Sequence, residues 1–376
     1  MIEDFKRIYE KRHEYIDEWK KKNPDRKILG YMCTYMPEEI LYAADVLPIR
    51  ILGAHEPQNV TEPHIMGMFC PFCRDVLAQG LLGRYDYLDA IGITHTCQHI
   101  IQSFESWVLH KGTKDFFIST PSNMQTPRVL PYLKGQLKIF KEQVEEWIGR
   151  EISDDDLRRG IEIVDKSRSL MREVYETRKA DDLPISGLDS MYMVVASQIT
   201  DKVEFNQILE ETLTKELPGR KAENDPGIRL MMIGSEDDDV KFLEMVESIG
   251  ASIVIDDHCT GSRYFWNVTD ENDEDPMTAI ANRHIYRPPC PAKDLPARNR
   301  MPHLIGLARD WNVAGVIFIQ QKFCDPHELD KVPIIKGLEE AGFPSLFLEF
   351  DVTVPIGPLR IRAEAFLETL GSEDLF

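Results

Sequence analysis

Short apolar runs that end close to a cysteine recur along this chain and constrain its fold more than any other feature. Four such runs are ILGYM before Cys33, DAIGITHT before Cys97, SIVIDDH before Cys259 and GVIFIQQKF before Cys324. Runs of this kind are typical of strands buried on both faces of a parallel sheet. Because ligands of open α/β sheets bind outside the carboxyl ends of the strands, we expect these thiols to line one ligand crevice. The pattern predicts a metal–sulfur centre there.

Between these runs, strand-like and helix-like segments alternate. The predicted strands are residues 28–32, 47–52, 88–94, 228–233, 253–255, 316–319 and 345–350. The predicted helices include residues 37–45, 74–83, 235–249, 334–341 and 361–370. Strands that alternate with helices form parallel sheets covered by helices. We therefore predict the α/β class, with two Rossmann-like parallel-sheet domains and a helical insertion.

This pattern divides the chain into four segments. Residues 1–27 predict an N-terminal helix, which ends at the turn signal Asn23-Pro24-Asp25. Residues 28–128 are predicted as the first Rossmann-like domain and residues 129–226 as a helical subdomain, which ends in a polar linker at 218–226. Ser153, followed by acidic residues, indicates a helix start in that subdomain. Residues 227–376 are predicted as the second Rossmann-like domain, with an irregular stretch rich in Pro, Asn and Asp before the strand at 316.

Composition excludes several classes of protein. The 376 residues carry 64 acidic and 44 basic side chains, a formal charge of −20 that disfavours binding to nucleic acid. No apolar stretch approaches 18 residues, and the charged N-terminus is unlike a secretory signal, so we expect a cytoplasmic protein without a membrane span. Seven cysteines are too few for a disulfide scaffold of this length, and an odd number cannot all pair.

Nucleotide-binding and hydrolase motifs are missing from the sequence. Gly234 follows a predicted strand, yet MIGSEDDD lacks the further glycines of a dinucleotide loop and places four acids where a pyrophosphate would bind. There is no G-x-x-x-x-G-K-[ST], G-x-S-x-G or H-E-x-x-H. Any requirement for ATP would therefore be met by another polypeptide.

The remaining cysteines are Cys70 and Cys73 in MFCPFC and Cys290 in RPPC. A single C-x-x-C suits zinc, a redox pair or an iron–sulfur cluster about equally, and any one cysteine can simply be a small buried residue. The second C-x-x-C that zinc would favour is missing. Thiolates of Cys97 and Cys324, supplied by different domains, better suit a cluster held across a cleft.

Histidines lie beside the same cysteines. His95 and His99 flank Cys97, His258 precedes Cys259, and His327 follows Cys324 by three residues. Each suits an ordinary hydrogen-bonding role, but imidazoles titrate near neutral pH, so we name His95, His99 and His327 as candidate catalytic proton donors to a substrate at the cluster. The nearby acids Glu38 and Glu39 are interpreted as first-turn residues of a helix.

Five sequence blocks carry a resemblance to a known family. They are YMCTYMPEEILYAADVLPIRILG, FCPFCRDVLAQGLLGRYDYLDAIGITHTCQHI, DDHCTGSRYFW with RPPCPAK, QKFCDPHELDKVPIIKGLEEAGFPSLFLEFD, and LRIRAEAFLETL. In order and spacing they resemble the 2-hydroxyacyl-CoA dehydratase and benzoyl-CoA reductase family over nearly the whole length. The resemblance implies that Cys70, Cys97 and Cys324 hold a [4Fe–4S] cluster, and that a separate ATP-hydrolysing iron–sulfur activator supplies electrons.

Three additional cysteines distinguish branches of this family. With Cys73, Cys259 and Cys290, the chain has the six thiolates that the resemblance associates with a double-cubane [8Fe–9S] cluster, and Cys33 is left outside the set. The expected function is that of an iron–sulfur core subunit of an ATP-dependent benzoyl-CoA reductase, which works with a homologous sister core subunit and an aromatic acyl-CoA. The alternatives are a homodimeric double-cubane reductase of small molecules, a 2-hydroxyacyl-CoA dehydratase subunit with one [4Fe–4S] cluster, and a zinc or scaffold protein.

Overall fold

Two four-stranded, all-parallel sheets organise the chain in the computed structural model, which describes residues 1–56, 59–221, 226–270 and 275–373. The first sheet has the order β2-β1-β3-β4, with β1 Ile28–Tyr31, β2 Leu47–Arg50, β3 Ala90–Thr94 and β4 Lys114–Ile118. The second has the order β6-β5-β7-β8, with β5 Ile228–Gly234, β6 Ala251–Asp257, β7 Gly315–Gln321 and β8 Ser345–Phe350. The predicted α/β class with two parallel sheets is confirmed.

Helices cover these sheets and connect their strands. Their bounds are α1 Ile2–Glu10, α2 Arg12–Lys22, α3 Glu38–Ala43, α4 Pro71–Leu81, α5 Gln98–Lys111, α6 Val129–Ile148, α7 Asp154–Thr177, α8 Gly187–Ile199, α9 Lys202–Glu211, α10 Val240–Ser248, α11 Ser262–Phe265, α12 Pro276–Tyr286, α13 Arg300–Asp310, α14 Asp325–Glu340 and α15 Ile356–Glu373. None of the helices in the described ranges is long and apolar enough to cross a bilayer.

Three elements differ from the sequence predictions. The N-terminal helix is two helices, because the backbone leaves helical geometry at Lys11, where φ is −116°. Strand β4 was not predicted, since its sequence KDFFI exposes three of five residues and has no continuous apolar run. The stretch predicted as irregular contains α11, α12 and α13, and in α12 the Pro and Asp that suggested a loop instead start the helix: Asp275 caps it and Pro276 occupies its first turn.

The helices predicted as a separate subdomain pack on both sheets. Ser153 caps α7 in a capping box with Asp156, as expected from the sequence. Helix α6 packs against β4, α7 against α3, and α8 against both β2 and β6. The largest apolar cluster runs from the N-terminal helices through α8 into the second sheet. Of the predicted linker at 218–226, residues 222–225 lie outside the described residues.

Candidate metal centre

All seven cysteines line one cavity, the thiol cavity, beyond the carboxyl ends of both sheets. The cavity has a volume of about 70 Å³, and its other lining residues include Met32, Arg50, Phe72, Ile100, Glu236, Gln321 and His327. None of the seven thiols is in a disulfide. Segments far apart in sequence therefore bring a set of free sulfur ligands to one place.

The strand order explains why these segments meet. In each sheet the order reverses between two neighbouring central strands, β1 and β3 in the first sheet and β5 and β7 in the second. Cys33 follows β1, while Cys97 and Cys324 follow β3 and β7 and occupy the N-cap positions of α5 and α14. Such reversal points are where open α/β sheets bind ligands, and a helix N-terminus stabilises a thiolate.

Local geometry positions the other cysteines. Cys70 is the N-cap of α4 and Cys73 lies in the first turn of that helix, where Ser103 Oγ donates a 2.8 Å hydrogen bond to the carbonyl of Cys73. Cys259 lies in the loop after β6. Cys290 precedes a single 3₁₀ turn, and its N–H donates to the hydroxyl of Tyr35 at 3.3 Å.

The thiols interact in two groups. Hydrogen bonds from Cys324 and then from Cys73 lower the pKa of Cys70 well below its ordinary value, despite burial. In the second group, a hydrogen bond from Cys259 outweighs burial and lowers the pKa of Cys290 to about 6, with help from Arg263. Burial raises the pKa of Cys97. Each group therefore contains one thiol that readily becomes a thiolate, the form that binds metals.

Positive charge approaches the cysteines of the second group. Arg263 places Nη1 3.6 Å from Cys259 Sγ while its Nε pairs with Asp257 at 3.0 Å. Lys293 is buried, and its ammonium donates to the carbonyls of His95 and Pro121 at 2.6 and 2.9 Å. Burial lowers the pKa of Lys293 to about 8, and the charge of Cys33 opposes that shift. These cations favour an anionic group among the thiols.

The donor set fits a polynuclear iron–sulfur group better than a single ion. A tetrahedral zinc site needs four ligands that converge at about 2.0–2.3 Å on one point. Within the described ranges, no three His, Cys, Asp or Glu side chains converge in that way. Instead, seven thiols are distributed around a mostly apolar cavity. Sulfur ligands spread over such a volume suit a cluster of several irons.

Of the three histidines predicted as proton donors, His327 alone lines the thiol cavity. Its Nδ1 lies 3.3 Å from Cys324 Sγ, and burial holds the pKa of His327 well below its ordinary value. His99 Nδ1 accepts the N–H of Cys70 at 3.1 Å, and its Nε2 faces Asp325. The ring of His95 lies 6.3 Å from that of Phe117. His99 therefore contacts the backbone of Cys70, and the backbone carbonyl of His95 accepts a hydrogen bond from Lys293.

The sequence matches the 2-hydroxyglutaryl-CoA dehydratase D-component family (HGD-D) over residues 33–370. The chain belongs to this family. The (R)-phenyllactyl-CoA dehydratase beta subunit of Clostridium sporogenes is 28% identical over 98% of both chains. A benzoyl-CoA reductase subunit of Thauera aromatica is 25% identical, covering 94% of this chain and 93% of its own length. The (R)-2-hydroxyglutaryl-CoA dehydratase beta subunit of Acidaminococcus fermentans is 24% identical over 98% of this chain and 99% of its own.

Membership of the HGD-D family confirms the resemblance seen in the sequence blocks. The named relatives are subunits of dehydratases and of a reductase that act on CoA esters. They match along nearly their full length.

Sequence reasoning missed two buried polar residues in the thiol cavity, Arg50 and Glu236. Arg50 is the last residue of β2. A charged residue at the carboxyl end of an apolar strand was the feature of the sequence that could have indicated it. Glu236 belongs to the acidic run after β5 that argued against a nucleotide site. Glu38 and Glu39 do begin α3, but both are buried and paired with Lys202 and Arg168, which only the tertiary structure brings close.

Proposed function

We propose that this chain is the iron–sulfur core subunit of an ATP-dependent benzoyl-CoA reductase and holds a double-cubane [8Fe–9S] cluster. Cys70, Cys97 and Cys324 would hold one half, as the family resemblance implies. The other half would be held by Cys259 and Cys290 together with Cys73, which hydrogen-bonds to Cys70 and would therefore lie where the two halves meet. The observation that carries the proposal is that the three additional thiols line the same cavity as the three family ligands.

When bound, such a cluster supplies single electrons at very low potential. The residues of this chain contribute the surroundings. Met32, Phe72 and Ile100 form an apolar wall that excludes water, which strengthens every electrostatic interaction inside the cavity. Burial and then the charge of Asp238 raise the pKa of Glu236 well above its ordinary value, so this carboxyl group keeps a proton within the cavity.

Anaerobic purification followed by iron and acid-labile sulfide analysis tests the proposed cluster. We expect about eight irons per chain, the content of a double cubane. Cys259→Ala and Cys290→Ala should each lose about half of that iron, since each removes a ligand of only one half. A metal-free or zinc-only protein would contradict the cluster, and about four irons per chain, kept in both variants, would indicate a single cubane held by the family ligands.

Cys33→Ala is the matched control for these variants. Cys33 lines the same cavity and accepts a 3.4 Å hydrogen bond from Thr96, so its removal perturbs the same surroundings. Because it lies outside the predicted ligand set, its variant should keep the iron content of the unchanged protein. Loss of iron from Cys33→Ala would revise the ligand set without removing the cluster.

A dehydratase subunit is the second candidate, favoured by the 28% identity to the (R)-phenyllactyl-CoA dehydratase beta subunit against 25% to the benzoyl-CoA reductase relative. We propose a homologous sister subunit and an ATP-hydrolysing activator as partners in either case. The isolated complex, supplied with ATP and reductant, should consume electrons in proportion to an aromatic acyl-CoA. Water elimination from a 2-hydroxyacyl-CoA without net electron consumption would favour the dehydratase. Purification as a homodimer that reduces small molecules would contradict both.

A further inference from the structure

Arg50 is a buried cation that faces the thiol cavity without a hydrogen-bonding partner. It ends β2 and is only 2% exposed. Its Nε and Nη1 are buried and have no hydrogen-bond partner, and no carboxylate in the described ranges forms an ion pair with it. The guanidinium is held only between two rings, 5.8 Å from the centroid of Tyr31 and 5.7 Å from that of Phe72.

Other buried arginines in the described ranges each make hydrogen bonds or ion pairs, although single nitrogens such as Arg178 Nε also lack a partner. Arg168 pairs with Glu39 at 2.6 Å, and Arg300 pairs with Asp257 and Asp330 at 2.7 and 2.6 Å. Even Arg178, which has no carboxylate partner among the described residues, donates to Ser190 Oγ at 2.9 Å and to the carbonyl of Ile253. A buried cation that makes no such bonds costs several kcal/mol, a penalty that the native structure retains only where something offsets it.

The protein groups beside Arg50 do not offset its charge. Glu236 lines the cavity, and burial and then Asp238 raise its pKa; the charge of Arg50 opposes that shift, but no hydrogen bond or ion pair joins the two side chains in the described ranges. The carboxylate of Asp238 is taken by His55, whose Nε2 lies 2.6 Å from Asp238 Oδ1. Glu236 is the one carboxyl group among the described residues that line the cavity; the rest of the lining is thiol, apolar or uncharged polar side chains such as Ser235 and Gln321, with His327, whose pKa burial holds well below its ordinary value. The anion that pairs with Arg50 must therefore lie inside the cavity.

We propose that Arg50 is a positioning residue that balances the negative charge of the iron–sulfur group in the thiol cavity and holds its reduction potential up. The inference rests on the proposed function, because it assumes that group. A fixed positive charge stabilises the more negative, reduced state. Removing the charge should therefore make reduction harder while leaving the thiolate ligands in place.

Two measurements on Arg50→Met test the proposal. In the metal-free protein, the variant should unfold at a higher temperature than the unchanged protein, because an unpaired buried cation has been replaced by an apolar chain of similar size. In the anaerobically reconstituted protein, iron content should be kept and the midpoint potential should fall by about 60 mV, a tenfold change for a one-electron couple. Arg50→Lys, which keeps the charge, should restore most of that shift.

Arg178→Met is the matched control, since Arg178 is equally buried and also lies over a ring, 5.0 Å from Tyr175, but remote from the cavity. It should lower the unfolding temperature of both forms and leave the potential unchanged. An unchanged potential in Arg50→Met, or a metal-free Arg50→Met that is less stable, would overturn the role of Arg50. A protein that never binds iron would instead refute the proposed function, while a higher melting temperature of metal-free Arg50→Met would still show the unpaired charge.

Discussion

The two sheets share one topology but treat their acidic residues in opposite ways. In both sheets the strand order reverses beside the central strand, and the next strand leads to a cysteine at the N-cap of the following helix. Cys97 and Cys324 therefore occupy equivalent positions. After β1, the acids Glu38 and Glu39 are paired with Lys202 at 3.2 Å and Arg168 at 2.6 Å. After β5, in the equivalent place, burial raises the pKa of Glu236 and Asp237.

This difference separates acids that are held by ion pairs from acids that mostly lack them. Ion pairs with helices α7 and α9 fix α3 against the rest of the protein. The acids after β5 have only one ionic partner in the described ranges, His55 of the first α/β unit, and they approach the thiol cavity through Glu236. The repeated fold therefore carries paired acids after β1 and acids with raised pKa values after β5.

Breaking the ion pair of the first unit should have the largest effect. Arg168→Met leaves the fully buried Glu39 without its partner and should lower the free energy of unfolding by about 3–5 kcal/mol. Urea denaturation measures this. Lys166→Met on the same helix removes an exposed pair with Glu210 and should cost less than about 1 kcal/mol. Equal losses in the two variants would contradict the supporting role of the Arg168 pair.

A substitution at the end of β5 should cause the next largest loss of stability. Gly234 has φ of +142°, and a Cβ there would lie against the carbonyl of Ile319 on β7. Gly234→Ala should therefore cost about 3 kcal/mol in urea denaturation. Gly92→Ala on β3 is the counterpart, where an added Cβ meets the flexible side chain of Met36, and about 1 kcal/mol is expected. A larger loss at Gly92 would reverse this ranking.

The stabilisation by the ion pair between His55 of the first α/β unit and Asp238 of the second should depend on pH. Burial alone would lower the pKa of His55, but Asp238 raises it to about 10. Because the folded-state pKa is raised, the stabilisation is complete below the ordinary value of 6.5 and is lost as the pH rises through about 10. His55→Gln should cost about 2 kcal/mol at pH 7 and much less at pH 10.

His13→Gln is the control for that pH dependence. Burial, then Arg12, lowers the pKa of His13 to about 4, so His13 is neutral in the folded protein throughout this range. The effect of its substitution on stability should stay constant between pH 7 and pH 10. Denaturation curves at both pH values decide the matter, and a constant loss in His55→Gln would show that the pair with Asp238 is not ionic.

Asp237→Asn should have the smallest effect, and it should be stabilising. Burial and then Asp239 raise the pKa of Asp237, so unfolding at neutral pH releases a proton and the wild-type stability falls as the pH rises above about 4. Asparagine avoids that loss and keeps the acceptor for the N–H of Asp239. We expect a gain on the order of 1 kcal/mol at pH 7 and none at pH 4. A loss at pH 7 would mean that Asp237 is ionised.

The sequence predicted those parts of the fold that depend on local pattern. Strands such as β1 and β7 are continuous apolar runs, and their ends were placed within about two residues. The edge strand β4 lacks such a run because one face meets solvent. Helices α12 and α13 lie in a stretch whose prolines and aspartates also suit loops, and packing against α6 and α14 decides between the two.

For the candidate site, the sequence showed which residue types follow the strands, but it did not show the surroundings of each side chain. The cysteines were found because they follow strands, a position that the sequence shows directly. Arg50 stands out because its buried Nε and Nη1 have no hydrogen-bond partner. Glu39 pairs with Arg168 of α7, which is more than a hundred residues away in the sequence. Such relations arise only when distant segments fold together. The identity of the ligands among the seven thiols stays a prediction for the same reason.

The thiol cavity also sets the order of events when this protein is made. Cys33 leaves the ribosome long before Cys324, which follows the third strand of the second sheet. No nascent fragment that ends before β7 can present the whole thiol set. If the proposed cluster is bound, its assembly must therefore wait until Cys324 has been synthesised, and the earlier thiols must stay reduced throughout that interval.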